Sequence, residues 1–318
     1  MPTLRLRSLA KINLDLRVLN KRPDGFHELR TVFQTISLAD TIVIDYERGR
    51  TRIELESNFN IPGNLIVQAA DAVLEATRST GRFRFQLKKR IPMGGGLGGG
   101  SSNGASILLA LPVLLKKQLP FEKLLELASR LGSDVPFFLL GGACVGLGRG
   151  TELYPLPDGP ERPALVITPG VHVSTADAYR ALNRKLTKEL PSSIINSFQA
   201  FVWGVEGSSP GLDRGCTNDF ESAVFNHHPQ LKSIKGRLLK LGARPALMSG
   251  SGSSLFGVFG SREQRDTAAA SLRKVIGNDK VYAVSLTSRR RYRALWWRQL
   301  ADQIDSRTWP PQSQHVVG

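Results

Sequence analysis

A glycine-rich stretch, PMGGGLGGGSSN from Pro92 to Asn103, is the segment whose composition points most directly to chemistry. Residues without a Cβ atom let backbone N–H groups approach an anion closely, and the N-terminus of a following helix adds a favourable dipole. Ser101, Ser102 and Asn103 add side-chain donors at the point where such a helix would begin. The stretch therefore predicts a loop that binds a polyphosphate such as the triphosphate of ATP.

Three other interpretations of this stretch fit the sequence less well. A flexible linker joins independent domains, whereas this stretch lies between a predicted strand and a predicted helix. A Walker-type P-loop requires a lysine immediately before the Ser/Thr, and Gly100 occupies that position. A G-x-G-x-x-G match begins at Gly94, but Leu114 stands where a ribose-binding carboxylate would be needed and the flanking strands look like a meander. We therefore expect a phosphate-binding loop of neither class.

Regular alternation predicts the strand that must position side chains beside this loop. Most even positions from Leu4 to Val18 are apolar, which is typical of a long half-buried strand. Apart from Leu9, the odd positions from Arg5 to Arg17 are charged or polar, and Lys11 and Asn13, two residues apart, point to the same side. The simplest interpretation of that side is a solvated face.

The rest of the first half is predicted as a β-meander followed by helices around the glycine-rich stretch. A turn at Arg22–Gly25 leads into further strands, and Gly132 suits the C-cap of a helix. The sequence SDVPFFLLGGAC that follows Gly132 looks like a loop entering a buried strand. The predicted elements are strands over 31–38, 41–44 and 82–88 and helices over 64–76, 106–111 and 121–131.

A stretch rich in proline and glycine, Leu156–Pro163, marks the boundary to a second half in which helices and strands alternate. Ser174 or Thr175 begins one helix, and Ser261-Arg-Glu-Gln264 has the spacing of a capping box for another. The predicted elements are strands over 164–168 and 281–286, a strand pair around 248–259, and further helices near 218–225 and over 230–241.

Composition and charge limit the class of protein. A length of 318 residues with 41% hydrophobic and 22% charged residues is typical of a globular chain of about two domains. The net charge is +16. Residues 289–318, with six Arg and two Asp, contribute part of it, and the remainder is dispersed. This pattern favours an anionic small molecule over nucleic acid.

Neither export nor a membrane span is expected. The N-terminal residues alternate charged and apolar side chains, unlike a signal peptide. The uncharged segment 91–115 is long enough to span a bilayer, but its first half is Gly, Ser and Asn, and Pro112 interrupts the rest. Cys144 and Cys216 fit no metal-binding spacing and suit a reducing compartment. We therefore expect a cytoplasmic protein with no membrane partner.

Three separated motifs together resemble those of the GHMP kinases, the small-molecule kinases of galactose, homoserine and mevalonate type. They are AKIN at Ala10–Asn13, the glycine-rich stretch itself, and MSGSGSS at Met248–Ser254. Within this superfamily, AKINLDLRVLNKRPDGFHELRTVFQTISLAD and SDVPFFLLGGAC are similar to the branch whose acceptor is 4-diphosphocytidyl-2-C-methyl-D-erythritol, in the non-mevalonate isoprenoid pathway. The resemblance covers roughly residues 5–259, is weak over 185–215 and is absent from 289–318. It implies transfer of the γ-phosphate of ATP to the 2-hydroxyl of that acceptor.

The resemblance also implies an α+β fold of two domains. Residues 1–158 are expected to form the N-terminal ATP-binding domain, similar to the second domain of ribosomal protein S5. Residues 159–288 are expected to form the C-terminal domain, a ferredoxin-like α/β sandwich. Residues 289–318 are a basic C-terminal extension of unknown role.

Phosphoryl transfer needs in-line positioning, charge stabilisation and a base for the attacking hydroxyl. Asp134 follows the capped end of a predicted helix, and the sequence alone leaves a role as a cap of the next turn equally open. The resemblance implies that Asp134 is the base and that Lys11 is its catalytic partner. An ammonium beside Asp134 would keep the carboxylate ionised and lower the proton affinity of the hydroxyl.

For the acceptor, the resemblance implies a cytidine pocket. Phe26 would stack on the cytosine ring, His27 would hydrogen-bond the base, and Tyr179 would be the second aromatic of a sandwich. The family more often has Tyr at position 26, so Phe26 keeps the stacking face and loses a hydroxyl contact. Asn13 would orient the substrate. The other predicted acceptor residues are Thr175 and the second glycine-rich loop, Ser249, Gly250, Ser251 and Gly252, whose alternative interpretation is a simple hairpin turn.

For the donor, the resemblance implies that Asn64 and Leu65 contact adenine. Asn103-Gly104-Ala105 departs from the usual Asn-Ala-Ala, which predicts slightly looser anchoring of the loop. Since no carboxylate of the loop presents itself as a ligand, Mg²⁺ is expected to arrive with ATP and no metal-binding residue is assigned. The remaining predicted ATP-binding residues are Pro92, Met93, Gly94, Gly95, Gly96, Leu97, Gly98, Gly99, Gly100, Ser101, Ser102 and Asn103.

Two other functions remain as alternatives. One is a GHMP kinase for another alcohol, such as homoserine or mevalonate, for which Pro23–His27 would have no purpose. The other is a basic RNA-binding protein on a related fold, which gives no reason for Lys11 and Asp134 to accompany both glycine-rich loops. We expect a monomer or homodimer with a small-molecule substrate and no nucleic acid. The tail from Ser288 is predicted to dock on the body, to form a dimer contact or to bind a partner.

Overall fold

The architecture is taken from a computed structural model, which describes residues 3–182, 195–196, 198–200, 202, 215–304 and 306–312. The region of weak family resemblance, 185–215, lies largely outside the described residues. In chain order the strands are β1 (Thr3–Lys21), β2 (His27–Glu47), β3 (Arg52–Ser57), β4 (Arg82–Lys88), β5 (Ala143–Gly148), β6 (Glu152–Pro155), β7 (Pro163–Ile167), β8 (Ala246–Met248), β9 (Leu255–Val258) and β10 (Val281–Ser285). The helices are α1 (Leu65–Thr77), α2 (Gly99–Leu114), α3 (Phe121–Leu131), α4 (Val135–Leu140), α5 (Thr175–Leu182), α6 (Phe220–His227), α7 (Pro229–Lys240), α8 (Arg262–Ile276) and α9 (Arg289–Gln299).

The first sheet has six strands, in the order β3-β4-β2-β5-β6 with β1 pairing β2. The pairing is antiparallel except between β3 and β4. The two strands predicted over 31–38 and 41–44 are in fact one continuous strand, β2, so the predicted break is wrong. Ser37 and Leu38 form a bulge there against β1, and Asp40 is fully buried rather than at a turn. A bulge bends a strand without ending it, which explains why one strand pairs β5 in its first half and β4 in its second.

The polar side of β1 is solvated at its start, where Arg5 and Arg7 are exposed, but it is buried from Lys11 onward, so the predicted solvated face is wrong there. Lys11, Asn13, Asp15 and Arg17 are each 6% exposed or less. The second half of the molecule covers this side, and the Leu16 N–H donates to the Thr217 carbonyl at 2.8 Å. Charged residues are almost never buried unless they are paired. The burial therefore identifies this side of β1 as part of a polar site.

Two helices differ from their predicted forms. Helix α2 begins at Gly99 rather than at 106. Glycine is unfavourable in the interior of a helix, but Gly99 and Gly100 lie in its first turn. Residues 135–140, predicted as a loop entering a strand, form α4 with Pro136 in its first turn, where proline is favourable. All but the last of its residues are buried, so no apolar periodicity distinguishes a helix from a strand.

The second sheet is antiparallel, with the order β10-β7-β9-β8. Helices α6, α7 and α8 supply buried residues to the core on one side of it. The predicted capping box is confirmed at its first member, since Ser261 Oγ accepts the Gln264 N–H at 3.1 Å. The Gln264 side chain reaches back to the Gly260 N–H instead of Ser261. Residues 156–162 connect the two sheets, and the domain boundary placed there stays a prediction.

The tail docks on the body, one of its three predicted roles. Trp296 in α9 is 1% exposed and belongs to the core of the first sheet. Tyr292 Oη donates to the Phe138 carbonyl at 2.5 Å, and Trp309 Nε1 donates to the Leu139 carbonyl at 2.9 Å. The tail thereby holds α4, the helix that follows Asp134. Among the described residues, no helix is both long and apolar enough to cross a membrane.

Candidate active site

The glycine-rich stretch lines a cavity of about 350 Å³. Every predicted ATP-binding residue lines it except Ser102. Ser102 Oγ donates to the Leu9 carbonyl at 2.6 Å and accepts from Ser8 Oγ, so its side chain faces β1 rather than the cavity. The cavity, here called the donor cavity, therefore joins Asn64 and Leu65 to the loop, while their contact with ATP stays a prediction.

The backbone of the loop requires glycine at positions where it turns. Gly96 and Gly98 have φ angles of 74° and 67°, a region that other residues rarely adopt. A Cβ atom on Gly96 would lie 2.1 Å from the Ser249 carbonyl oxygen. Ser249 Oγ donates to the Gly96 carbonyl at 3.0 Å, and the Lys11 N–H donates to the Leu97 carbonyl. The first loop is thus held between β1 and the second glycine-rich loop.

Lys89 is a donor-cavity residue that the sequence analysis missed. Its Nζ lies 2.5 Å from Asp40 Oδ2, and both side chains are buried. Asp40 Oδ1 also accepts the N–H groups of Arg90 and Ile91, so one carboxylate fixes the chain that enters the loop. The only signal was a Lys-Lys-Arg run before the loop, and such a run is usually a solvated face.

A second cavity, of about 560 Å³ and here called the acceptor cavity, lies beside the first. The predicted acceptor residues Asn13, Phe26, His27, Thr175, Tyr179, Gly250 and Ser251 line it together with Lys11 and Asp134. Ser249 and Gly252 do not line it. Gly96 lines both cavities. The two cavities therefore meet at the first glycine-rich loop, next to the Lys11–Asp134 pair.

Lys11 and Asp134 form an ion pair in the acceptor cavity. Lys11 Nζ lies 3.3 Å from Asp134 Oδ2, and the side chains are 4% and 34% exposed. Lys11 Nζ also donates to Asn13 Oδ1 at 2.8 Å, and Asn13 Nδ2 donates to Thr31 Oγ1. The lysine is thereby oriented by a buried polar chain, while the carboxylate keeps access to the cavity.

Asp134 precedes α4, but its side chain makes no capping hydrogen bond. The alternative in which Asp134 only caps the next turn is therefore not what the structure shows. A carboxylate held by Lys11 and open to the cavity can accept a proton from a bound hydroxyl.

Aromatic rings form one wall of the acceptor cavity. The rings of His27 and Tyr179 are stacked, with centroids 4.6 Å apart, and Phe220 meets Tyr179 edge-on. Burial raises the pKa of Tyr179 to about 12, with the charge of Asp134 a smaller cause. Burial, and secondarily Lys21, lowers the pKa of His27 below its usual value, which favours the neutral ring. The predicted sandwich of Phe26 and Tyr179 stays a prediction, because here Tyr179 stacks on His27.

Phe26 has a partner that the sequence did not reveal. Its ring is 49% exposed, and the Arg149 guanidinium carbon lies 3.5 Å from its centroid. Arg149 itself lines the acceptor cavity. It lies in a Gly-Leu-Gly-Arg-Gly run far from Phe26 in the sequence, so nothing local connected the two.

Asn218 holds the second glycine-rich loop and was also missed. Its Nδ2 donates to the carbonyls of Met248 and Gly250, each at 2.8 Å, and its Oδ1 accepts the Phe220 N–H. Thr175 Oγ1 lies 2.9 Å from Ser251 Oγ on the cavity side of that loop. A single buried amide therefore sets the position of the loop above the acceptor cavity.

Comparison with known proteins agrees with this geometry. The family described as GHMP kinases N terminal domain matches residues 64–142, and the one described as GHMP kinases C terminal matches residues 206–278. The chain is 54% identical to a 4-diphosphocytidyl-2-C-methyl-D-erythritol kinase of Solibacter usitatus over 315 residues, which cover 98% of this chain and 97% of that protein. It is 40% identical to the protein of the same name from Thermus thermophilus over 270 residues, 83% of this chain and 90% of that protein.

Solved structures show the same likeness. The crystal structure of a 4-(cytidine 5'-diphospho)-2C-methyl-D-erythritol kinase is 37% identical, has a TM-score of 0.76, and covers 90% of this chain and 100% of its own. A homoserine kinase from Cytophaga hutchinsonii has a TM-score of 0.69 at 21% identity, with 91% of this chain and 95% of its own covered. At that identity the second match shows the fold alone.

Proposed function

The chain belongs to the 4-diphosphocytidyl-2-C-methyl-D-erythritol kinase family of GHMP kinases, and from this premise we propose how its two cavities perform the reaction. The reaction is transfer of the γ-phosphate of ATP to the 2-hydroxyl of 4-diphosphocytidyl-2-C-methyl-D-erythritol, a step of non-mevalonate isoprenoid biosynthesis. The observation that carries the proposal is that Gly96 lines both cavities while Lys11 and Asp134 line the acceptor side. A phosphoryl group held at Gly96 would therefore lie beside Asp134, the proposed base.

In the transfer step, the 2-hydroxyl oxygen attacks the γ-phosphorus and its proton passes to a carboxylate oxygen of Asp134. The bond between the γ-phosphorus and the bridging oxygen breaks, and ADP leaves with the electron pair. Lys11, 3.3 Å from Asp134, stabilises the carboxylate before the transfer and the negative charge that develops on the attacking oxygen. Asn13 fixes the lysine and orients the acceptor.

The donor is held mainly by backbone. The N–H groups of the glycine-rich loop and the N-terminus of α2 face the phosphates, as at other anion sites of this kind. Asn64 Oδ1 caps α1 by accepting the Ile66 N–H, which leaves its amide N–H groups to adenine. Lys89 adds a cation to the same cavity.

The acceptor is recognised through its base and its diphosphate. Phe26 and the His27–Tyr179 stack offer ring faces and edges to cytosine. Arg149, over Phe26, places a guanidinium where a diphosphate can accept two parallel hydrogen bonds. Gly250 and Ser251 close the cavity from the other side.

We also propose that Mg²⁺ enters with ATP. The residues lining the donor cavity include no carboxylate, and among the described residues no three His, Cys, Asp or Glu side chains converge as a metal site. This donor set fits a cation bound chiefly by the nucleotide phosphates, which is how proteins often hold Mg²⁺. The cation would offset the charge that develops on the phosphates.

The state of the protein in the cell is a further part of the proposal. We propose a cytoplasmic monomer or homodimer without a nucleic-acid partner. Cys144 is a free, buried thiol, which suits a reducing compartment.

One assay tests the function. Purified protein with Mg-ATP is given 4-diphosphocytidyl-2-C-methyl-D-erythritol, homoserine or mevalonate in turn, and ADP release is measured. We expect ADP release with the first acceptor alone. No release with it, or faster release with either of the others, would remove the acceptor assignment.

A further inference from the structure

A third cavity, of about 400 Å³, lies away from the two cavities of the reaction. It is formed where the bulge of β2 at Ser37–Ala39 faces β10, the edge strand of the second sheet. Ser37 Oγ accepts the Ser285 N–H at 2.9 Å and ties the two sheets together at its rim. The cavity is therefore part of the framework rather than a gap between mobile side chains.

Three arginines from separate elements line this cavity: Arg7 of β1, Arg90 before the glycine-rich loop, and Arg273 of α8. Within the described part of the chain, none of them has a carboxylate at ion-pair distance. Arg7 Nη2 donates only to the Ser37 carbonyl, at 3.3 Å. By contrast, Arg22 and Arg84 elsewhere on the surface each pair with an acid. The cavity thus gathers like charges that the fold leaves without counter-charges.

Guanidinium groups that converge without acids repel one another, and a bound anion would relieve that repulsion. The planar fork of arginine matches the oxygens of phosphate in pairs of charge-assisted hydrogen bonds. Arg7 and Arg90 are exposed and Arg273 is half-buried, so an anion in the cavity could reach all three from solvent. Three arginines without acids around one cavity fit an anion with several oxygens, such as a phosphate group.

We propose that this cavity is a second anion site, which binds a compact ligand bearing a diphosphate group independently of the transfer reaction. The site goes beyond the proposed function and does not depend on it. None of its arginines lines the donor or the acceptor cavity.

The site adjoins the donor loop through the backbone, and the experiment must separate the two. Arg90 is followed by Ile91, and Asp40 binds both of their N–H groups. Because the donor loop and the acceptor cavity are both proposed to bind phosphates, a probe added to the ligand-free protein would report on all three sites. Both cavities of the reaction are therefore saturated first.

The probe is inorganic pyrophosphate, titrated calorimetrically into the full chain in magnesium-free buffer with a saturating non-hydrolysable ATP analogue and saturating 4-diphosphocytidyl-2-C-methyl-D-erythritol. We expect one pyrophosphate per chain, with an affinity that does not change when the analogue concentration is raised tenfold. Arg273→Gln and Arg7→Gln should each weaken this binding by roughly tenfold or more. Both variants should keep the wild-type rate of ADP release, which shows that they fold.

The matched control is Arg262→Gln, which lies on the same helix as Arg273, is exposed and does not line the cavity. Its pyrophosphate affinity should stay within about twofold of wild type. The proposal is overturned if the heat disappears as the analogue concentration rises, because the donor loop would then be the only site. It is also overturned if Arg273→Gln and Arg262→Gln bind pyrophosphate equally.

Discussion

The donor and acceptor cavities are built in opposite ways. The donor cavity is lined chiefly by one continuous stretch, 92–103, in which six residues are glycines without side chains. The acceptor cavity is lined by side chains from β1, the β1–β2 hairpin, the start of α4, α5 and the second glycine-rich loop, spread between Lys11 and Ser251. Only Gly96 is common to both.

A cavity lined by one continuous stretch can be recognised as a sequence motif. A cavity lined by residues from several elements exists only in the folded chain. Nucleotide phosphates are the same in every kinase of this kind, so a short backbone loop is sufficient to hold them. The acceptor differs between enzymes, and its recognition depends on side chains that only the tertiary structure brings together. Substitutions in the two regions should therefore have separable effects on the two substrates.

The largest effect should follow from Asp134→Asn, which removes the base without touching the donor cavity. We expect kcat to fall by about a thousandfold or more, while the affinity for ATP stays near wild type. ADP release gives kcat, and calorimetric titration with an ATP analogue gives the affinity. Asp71→Asn, an exposed change on α1, is the control and should leave both values unchanged. Near-normal turnover by the Asp134 variant would remove Asp134 as the base.

A smaller effect, but on both substrates, is expected from Gly96→Ala. The added Cβ would lie 2.1 Å from the Ser249 carbonyl and would force apart the two glycine-rich loops. A displacement of that kind should lower kcat/KM by about a hundredfold for ATP and for the acceptor. Gly236→Ala is the matched control, since its Cβ would meet nothing within 4 Å and Gly236 lines neither cavity. If Gly96→Ala impairs only one substrate, Gly96 is not the junction between the cavities.

Asn218→Ala should sharpen the comparison by affecting the acceptor alone. It removes two hydrogen bonds to the Met248 and Gly250 carbonyls, and so loosens the loop above the acceptor cavity. We expect the KM for the acceptor to rise about tenfold, with the KM for ATP within about twofold of wild type. Asn226→Ala, exposed on the helix that follows, controls for loss of an amide. An equal rise in both KM values would contradict a role confined to the acceptor.

The same contrast explains how much the sequence could predict. The donor loop was recognisable from local composition, and its residues do line one cavity apart from Ser102. Lys11 and Asp134 were paired only through the family resemblance, because no local pattern links side chains so far apart in the chain. Arg149 and Asn218 carried no local signal, and Lys89 had only a basic run before the loop, which is usually a solvated face.

The errors in secondary structure have a similar cause. The early start of α2 was missed because glycine lowers helix propensity, while a helix N-terminus that faces phosphates needs residues without side chains. Helix α4 was missed because residues buried on every side show no periodicity. The buried polar side of β1 was missed because its cover comes from residues around Thr217, far along the chain. In each case tertiary structure overrode a local preference.

The smallest effect is expected at Asp15, and it concerns stability. Asp15 lies on β1 two residues from Asn13, which lines the acceptor cavity. Its Oδ1 accepts the Thr217 N–H at 2.8 Å, and its Oδ2 lies 2.9 Å from Arg17 Nε. Burial raises the pKa of Asp15 from 3.8 to about 6, against the opposing effect of Arg17. A carboxyl whose pKa is higher in the folded chain stabilises the fold while protonated, and that contribution is lost as pH rises from about 4 to about 6.

Asp15→Asn has no carboxyl to titrate, so its stability should not contain this loss. Relative to wild type, its free energy of unfolding should therefore rise by at most about 3 kcal/mol between pH 4 and pH 7. Urea unfolding at several pH values measures this difference, with Asp71→Asn expected to run parallel to wild type. A constant difference between Asp15→Asn and wild type across this range would mean that Arg17 outweighs burial and keeps Asp15 ionised. The support of the acceptor cavity would then rest on a permanent ion pair, like the Lys89–Asp40 pair beside the donor loop, and the two regions would differ less than their lining residues indicate.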